Sequence, residues 1–282
     1  MAIHSLAARP RALAATTLLA FALAACGAAD ATPTPAGGSQ AGNPTPAATT
    51  PAAQPIHWTY AGEEGPDHWG ELDATYQACK TGRQQSPIDI HQPAAQDLAD
   101  ISFSYQPAAV KVLNNGHTIQ AAPAAAGSFI ELDGKRYDLA QFHFHDPSEH
   151  TVEGKPFPME LDLVHKAADG SLAVVGVLIE EGAANTTLAP VFAHMPATAN
   201  ATEEVADEID FNALIPSSHL YYHYAGSLTT PPCTEGVNWL VLKEPIAVSA
   251  EQLNAFKQLI GANSRPVQQL EGRTLEVDTA SK

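Results

Sequence analysis

Short bursts of alternating or β-branched residues recur along the second two-thirds of the chain. They cover Ser102–Tyr105, Val110–Leu113, Phe129–Leu132, Leu139–His145, Leu161–His165 and Leu172–Glu180. Each carries the two-residue period of a strand buried on one face. Turn-forming triplets separate them, as at Asn114-Asn115-Gly116, Leu132-Asp133-Gly134 and Ala168-Asp169-Gly170. Helical periodicity is scarce. Ala250–Ile260 predicts one helix, with Ser249 placed to cap its start and Gly261 to end it. The pattern predicts a mostly-β (α+β) domain with a few short helices and no internal repeat.

The first 55 residues follow a different rule. Residues 1–25 combine a short basic start with an uncharged run from Ala12 to Ala25 that ends in small residues. That run is shorter than the ~18–20 residues a membrane span needs and shows no amphipathic stripe, so it reads as a secretory signal peptide. Leu23-Ala24-Ala25-Cys26 resembles a bacterial lipobox, which implies lipidation at Cys26, and Gly27 after it favours the outer membrane. Residues 26–55 read as a disordered tether. From 27 to 55, 24 of 29 residues are Ala, Pro, Thr or Gly, with no aromatic and one charge, too little apolar surface to offset ordering entropy. Such a tether spans about 30 Å as a flexible coil and at most ~90 Å if polyproline-like. Residues 56–282 are then a single domain, exported to the periplasm or cell surface and anchored to a membrane only through Cys26.

Charge narrows the partners. Lys and Arg total 14 against 31 Asp and Glu, a formal net charge of −17. Arg9 and Arg11 are the only basic residues before Cys26 and no acid precedes Asp30, so the part beyond the leader is more acidic still. Duplex nucleic acid and anionic lipid both need a basic footprint and are excluded as expected partners. Small molecules and metals remain. Setting Cys26 aside leaves Cys79 and Cys233, an even remainder that in an exported protein suggests a disulfide, with two buried thiols as the alternative. A bridge across so long a loop constrains the unfolded chain by up to about 5 kcal/mol on the entropy model.

Gln141-Phe142-His143-Phe144-His145 is the most informative stretch. On a strand, residues two apart share a face. His143 and His145 therefore point together, and Phe142 and Phe144 point into the opposite face. Two imidazoles on a rigid strand can hold a metal ion, although an isolated pair of this kind is commonly structural. Around it the chain reads QFHFHDPSEHTV at 141–152, MELDLVHK at 159–166 and GSLTTPPCTEGVNW at 226–239. HWTY at 57–60, RQQSPIDI at 83–90, NNGH at 114–117 and NSRP at 263–266 complete the set.

Together these motifs resemble the α-class carbonic anhydrases, bacterial exported branch, over essentially all of residues 56–282. The resemblance implies a large twisted central mixed β-sheet and a conical cleft with zinc at its base. It implies reversible hydration of carbon dioxide to bicarbonate and a proton by zinc-bound hydroxide, which makes the protein a lyase. Residue by residue, His143 and His145 match two zinc ligands, and Gln141 matches a group that orients one of them. His117 matches the proton shuttle. Thr229 matches the acceptor from the nucleophile, Glu149 the acceptor of the threonine's proton, and Thr230 the neighbouring substrate-side hydroxyl. Val164, Val174, Leu228, Val237 and Trp239 match the apolar wall for carbon dioxide. Cys79 and Cys233 match the family disulfide. Oligomeric state stays open.

The third family ligand is a histidine, and Asp162 stands in its place. His165 lies an odd offset away and is expected to face elsewhere; using it would need a register slip. An aspartate oxygen has nearly the reach of the nearer ring nitrogen of histidine, and aspartate is an accepted zinc ligand. A carboxylate lowers the charge of the site, so bound water should be less acidic and activity reduced. Glu160 matches the carboxylate that holds the family's third histidine. With that donor replaced by a second carboxylate, Glu160 is expected to have a raised pKa. Asp146 is expected to be a solvated turn residue before Pro147. Two other readings follow from the same substitution. One is a catalytically impaired relative acting as a binding module at the cell surface. The other takes His143, His145 and Asp162 as the two-histidine, one-carboxylate triad of non-haem iron oxygenases, against which the rest of the chain argues.

Overall fold

The structure is a computed structural model that describes residues 56–280. The expected leader 1–25 with its lipidation site, and the expected tether 26–55, lie outside the described residues. No helix among the described residues is long and apolar enough to cross a membrane.

A twelve-stranded mixed sheet organises the described chain. Its main path runs Thr202–Ile209, Ala108–Asn114, Ile119–Pro123, Lys135–His145, Met159–Lys166, Leu172–Glu181, Glu235–Val248, Tyr221–Ser227, Glu276–Asp278 and Ala94–Gln96. Neighbours are antiparallel except for Leu172–Glu181 beside Glu235–Val248 and Glu276–Asp278 beside Ala94–Gln96, which are parallel. Ser102–Ser104 and Phe129–Leu132 pair off the main path. A small second sheet joins Asp89–Ile90, Thr151–Val152 and Lys155–Pro156. This is the mostly-β mixed-sheet fold expected, with few short helices.

The predicted strands are present, several extended at their ends. The helix forms as Ala250–Leu259, and Ser249 makes a capping box with Gln252. Leu253 and Phe256 of that helix are buried, and Phe256 stands edge-on to Phe144 at 5.9 Å. Phe142 and Phe144 lie in the larger apolar cluster together with Leu161 and Leu163. A second cluster contains Val174, Val237 and Trp239, with Val164 and Leu228 packed against it. The sheet thus buries apolar residues on both faces around its centre, and the two central strands Lys135–His145 and Met159–Lys166 are rigid from both sides.

Cys79 and Cys233 are bridged, with Cα atoms 5.0 Å apart across a separation of 154 residues. The bridge, rather than two thiols, fastens the N-terminal segment to the loop that follows Tyr221–Ser227.

Candidate metal centre

Strand register assembles the site. His143 pairs with Asp162, and His145 with Glu160, across two adjacent antiparallel strands. Leu161 and Leu163 enter the core, which leaves Glu160, Asp162 and Val164 on the side opposite. Gly176 is the next neighbour of Asp162. A Cβ there would stand 3.1 Å from Glu160 Oε1 and 3.6 Å from Asp162 Oδ1, so glycine leaves room for the two carboxylates.

His143, His145 and Asp162 each offer one ligand atom, all within 4.8 Å of one another. Asp162 Oδ2 lies 3.9 Å from His143 Nε2 and 3.6 Å from His145 Nε2. The opposite ring nitrogens are held from behind. His143 Nδ1 is 3.0 Å from Gln141 Oε1, and His145 Nδ1 is 2.8 Å from the Asn263 carbonyl. Because those oxygens only accept, both Nδ1 atoms carry the proton and both Nε2 lone pairs face Asp162. Burial, then His145, holds His143 down at about 3, so its ring is neutral and able to ligate.

These residues fit a metal ion. His145 Nε2 and Asp162 Oδ1 are buried without a hydrogen-bond partner. Burial pushes the Asp162 carboxyl well above its usual range, and Glu160 and Glu149 push further. A buried carboxyl oxygen without a partner beside two imidazole Nε2 atoms is a donor set a divalent cation satisfies.

Glu160 corrects the sequence expectation. Burial raises its pKa, yet His150 outweighs burial and holds the carboxyl below its ordinary value. His150 Nδ1 is 2.7 Å from Glu160 Oε1, and the His150 backbone N–H donates to Oε2 at 2.8 Å. The chain continues from His150 Nε2 to the Tyr224 hydroxyl at 2.7 Å, and Tyr224 donates to Ser86 Oγ at 2.8 Å. His150 therefore satisfies Glu160 without any donor at position 162, and the repulsion between the carboxylates is expressed at Asp162. Asp146 is a second correction: only 7% of it is exposed, and burial raises its pKa.

Glu149 is fully enclosed and accepts from the Arg265 N–H at 2.8 Å. Burial raises its pKa, opposed by His145, the Arg265 N–H and Thr229. Thr229 and Thr230 sit on a loop tied by Leu228 N–H to the Thr234 carbonyl and by Cys233 N–H to the Thr230 carbonyl, next to the disulfide. A cavity of about 120 Å³ is lined by His143, His145, Gln141, His117, Thr230 and Trp58, among others. His117 stacks on Trp58 at 3.7 Å with planes 6° apart; burial, then His57, lowers its pKa. Val164 pairs with Val174, and Val174 with Trp239, so the five apolar residues form one patch, although the cavity itself is lined mainly by polar groups. His165, as expected, faces away: it is buried with Nε2 2.8 Å from the Tyr105 hydroxyl. Sequence reading gave no role to His150, Tyr224, Asn263 and Arg265, although three of the four stand in the quoted motifs.

The model of the eukaryotic-type carbonic anhydrase family matches residues 64–279. A carbonic anhydrase of Klebsiella pneumoniae is 46% identical over 221 residues, covering 78% of this chain and 90% of the relative. One from Pectobacterium atrosepticum is 43% identical over the same shares. The solved α-carbonic anhydrase of Thermovibrio ammonificans, in complex with sulfanilamide, is 44% identical with a TM-score of 0.77, covering 79% of this chain and all of that one.

Proposed function

Because the chain belongs to the eukaryotic-type carbonic anhydrase family, we propose that it hydrates carbon dioxide reversibly to bicarbonate and a proton with zinc held by His143, His145 and Asp162. The observation that carries this reading is that His143, His145 and Asp162 bring one ligand atom each within 4.8 Å of one another, with His145 Nε2 and Asp162 Oδ1 buried and unpartnered. Zinc in such a site supplies Lewis acidity that makes water a nucleophile near neutral pH.

The protein's own groups do the rest. Gln141 and the Asn263 carbonyl fix the two rings, so no reorganisation precedes ligation. Glu149 accepts a hydrogen bond from the Thr229 hydroxyl, which leaves the threonine oxygen free to accept from the attacking group and select its orientation. Thr230 offers a second hydroxyl at the cavity. We assign Val164, Val174, Leu228, Val237 and Trp239, whose indole N–H is already given to the Ser227 carbonyl, to the apolar wall suited to an uncharged linear substrate. His117, at the same cavity and stacked on Trp58, passes the product proton to buffer. Asp162 brings a negative charge to the site, so the reading includes activity below that of a three-histidine centre.

We also assign residues 1–25 to an export signal, Cys26 to a lipid anchor and 26–55 to a tether, which places the domain in the periplasm or at the cell surface. The test of function is the initial rate of carbon dioxide hydration with excess zinc, measured beside Asp162→His. A rate above background that a sulfonamide inhibits supports the reading. Activity in the variant alone overturns it in favour of a scaffold that has lost its metal chemistry.

A further inference from the structure

Among the described residues, no lysine or arginine lines the cavity beside His143. Besides imidazoles its walls carry neutral groups, among them the amides of Gln120 and Gln141, the Thr230 hydroxyl and the rings of Trp58 and Tyr60. Three buried acids stand behind it, Glu149, Glu160 and Asp162. Asp162 Oδ2 lies 3.9 Å from His143 Nε2 and 3.6 Å from His145 Nε2, and Glu149 Oε1 lies 3.5 Å from His145 Nδ1. Glu160 and Asp162 share the space left by Gly176. The buried Arg265 guanidinium is committed elsewhere, donating to Gln85 Oε1 and to the carbonyls of Ser86 and Cys79. The acids therefore set the sign of the field at the cavity wall, and Tyr60 registers it. Burial, then Glu149, then Asp162 push its hydroxyl well above the ordinary value.

A carboxylate that ligates a metal is ionised. A divalent ion held by two neutral imidazoles and Asp162 thus presents one net positive charge, half that of a three-histidine centre. At a separation on the order of 4 Å in a partly dry site, one unit of charge alters the binding of an anion by more than tenfold. No cationic side chain at the cavity wall offsets that loss. Carbon dioxide carries no net charge, so the same change leaves its entry almost untouched.

Resting on the zinc reading above, we propose that Asp162 is a specificity-determining residue that turns the centre against anions: bicarbonate and other monoanions bind weakly, while uncharged carbon dioxide is admitted. Bicarbonate then leaves readily, and the anions of a salt-rich medium inhibit little.

Calorimetric titration of the zinc-loaded full chain tests it, with thiocyanate as the anionic probe and pyrazole as an uncharged nitrogen ligand. Titrations near pH 6 keep competition from hydroxide small. Thiocyanate is expected to bind the parent about tenfold or more weakly than it binds Asp162→His, and pyrazole to bind the two within about twofold. Asp162→Asn removes the charge and keeps the shape, and it should gain thiocyanate affinity in the same direction. The same thiocyanate affinity in the parent and both variants overturns the inference. So does equal weakening of thiocyanate and pyrazole in the parent, which marks poor ligation rather than charge. Zinc uptake is read separately by equilibrium dialysis. A parent that takes up no zinc overturns the functional reading and this inference with it, whereas zinc uptake without discrimination against thiocyanate overturns this inference alone.

Discussion

His143 and Asp162 are direct cross-strand partners, and Asp162 Oδ2 lies 3.9 Å from His143 Nε2 while also reaching to 3.6 Å from His145 Nε2. The aspartate therefore faces the two imidazoles by register, not by an irregularity of the chain. As a metal ligand it would change the charge of the proposed site. Asp162→His is expected to move the midpoint of the pH–rate profile down by about one unit and to raise the rate at pH 7 several-fold. Asp162→Ala should weaken zinc binding. Zinc content and hydration rates measured across pH 6–9 check both, and a fully zinc-loaded Asp162→His protein no faster than the parent contradicts the argument.

The Glu160–His150–Tyr224 chain is expected to hold that site together. Removing the imidazole leaves a fully buried carboxylate with only the backbone N–H of residue 150. His150→Ala should cost about 3–5 kcal/mol, the penalty of an unpaired buried charge. Tyr224→Phe deletes one hydrogen bond and should cost about 1 kcal/mol. Urea denaturation of the three proteins gives the comparison. Zinc affinity in His150→Ala should fall about 10–100-fold, as with other groups standing behind metal ligands.

The contrast between what was legible and what was not follows from sequence distance. The strand carrying His143 and His145 announces itself because its partners alternate within five residues; such local patterns gave the mostly-β class, while the large mixed sheet was expected from the family resemblance. Glu235–Val248 lacks clean alternation because Trp239–Leu242 is buried without a break, and Tyr221–Ser227 because half-buried Tyr222 and His223 and exposed Ala225 interrupt its buried positions. Thr202–Ile209 is hidden by its acids, which are tolerable at the free edge of the sheet. His150 was opaque since its second partner, Tyr224, is 74 residues away. The carbonyl that fixes His145 comes from Asn263, 118 residues on. The expectation for Glu160 failed for the same reason: it counted the donor lost at position 162 but not the one folded in beside it.

His117 is expected to limit turnover only when buffer is scarce. Burial and the neighbouring His57 lower its pKa, so the ring is neutral at pH 7 and able to accept a proton. His117→Ala should lower kcat about tenfold or more in dilute buffer and leave kcat/KM unchanged. Concentrated imidazole buffer should restore kcat. A loss that buffer does not restore would place the effect of His117 on the cavity rather than on proton transfer.

The acid side of the stability profile should carry the signature of His165. This ring is fully buried, its Nδ1 has no partner, and burial lowers its pKa to about 4. In the unfolded chain the same ring titrates near ~6.5. Between those values the unfolded chain binds the proton and the folded chain does not, so stability rises with pH through this window and falls on acidification. From pH 7 to 4.5 the group should account for about 2–3 kcal/mol of lost stability. His165→Gln keeps a polar atom near Tyr105 but cannot titrate. Denaturant unfolding at both pH values should show the parent losing that much more than the variant, and parallel losses would exclude His165 as the cause.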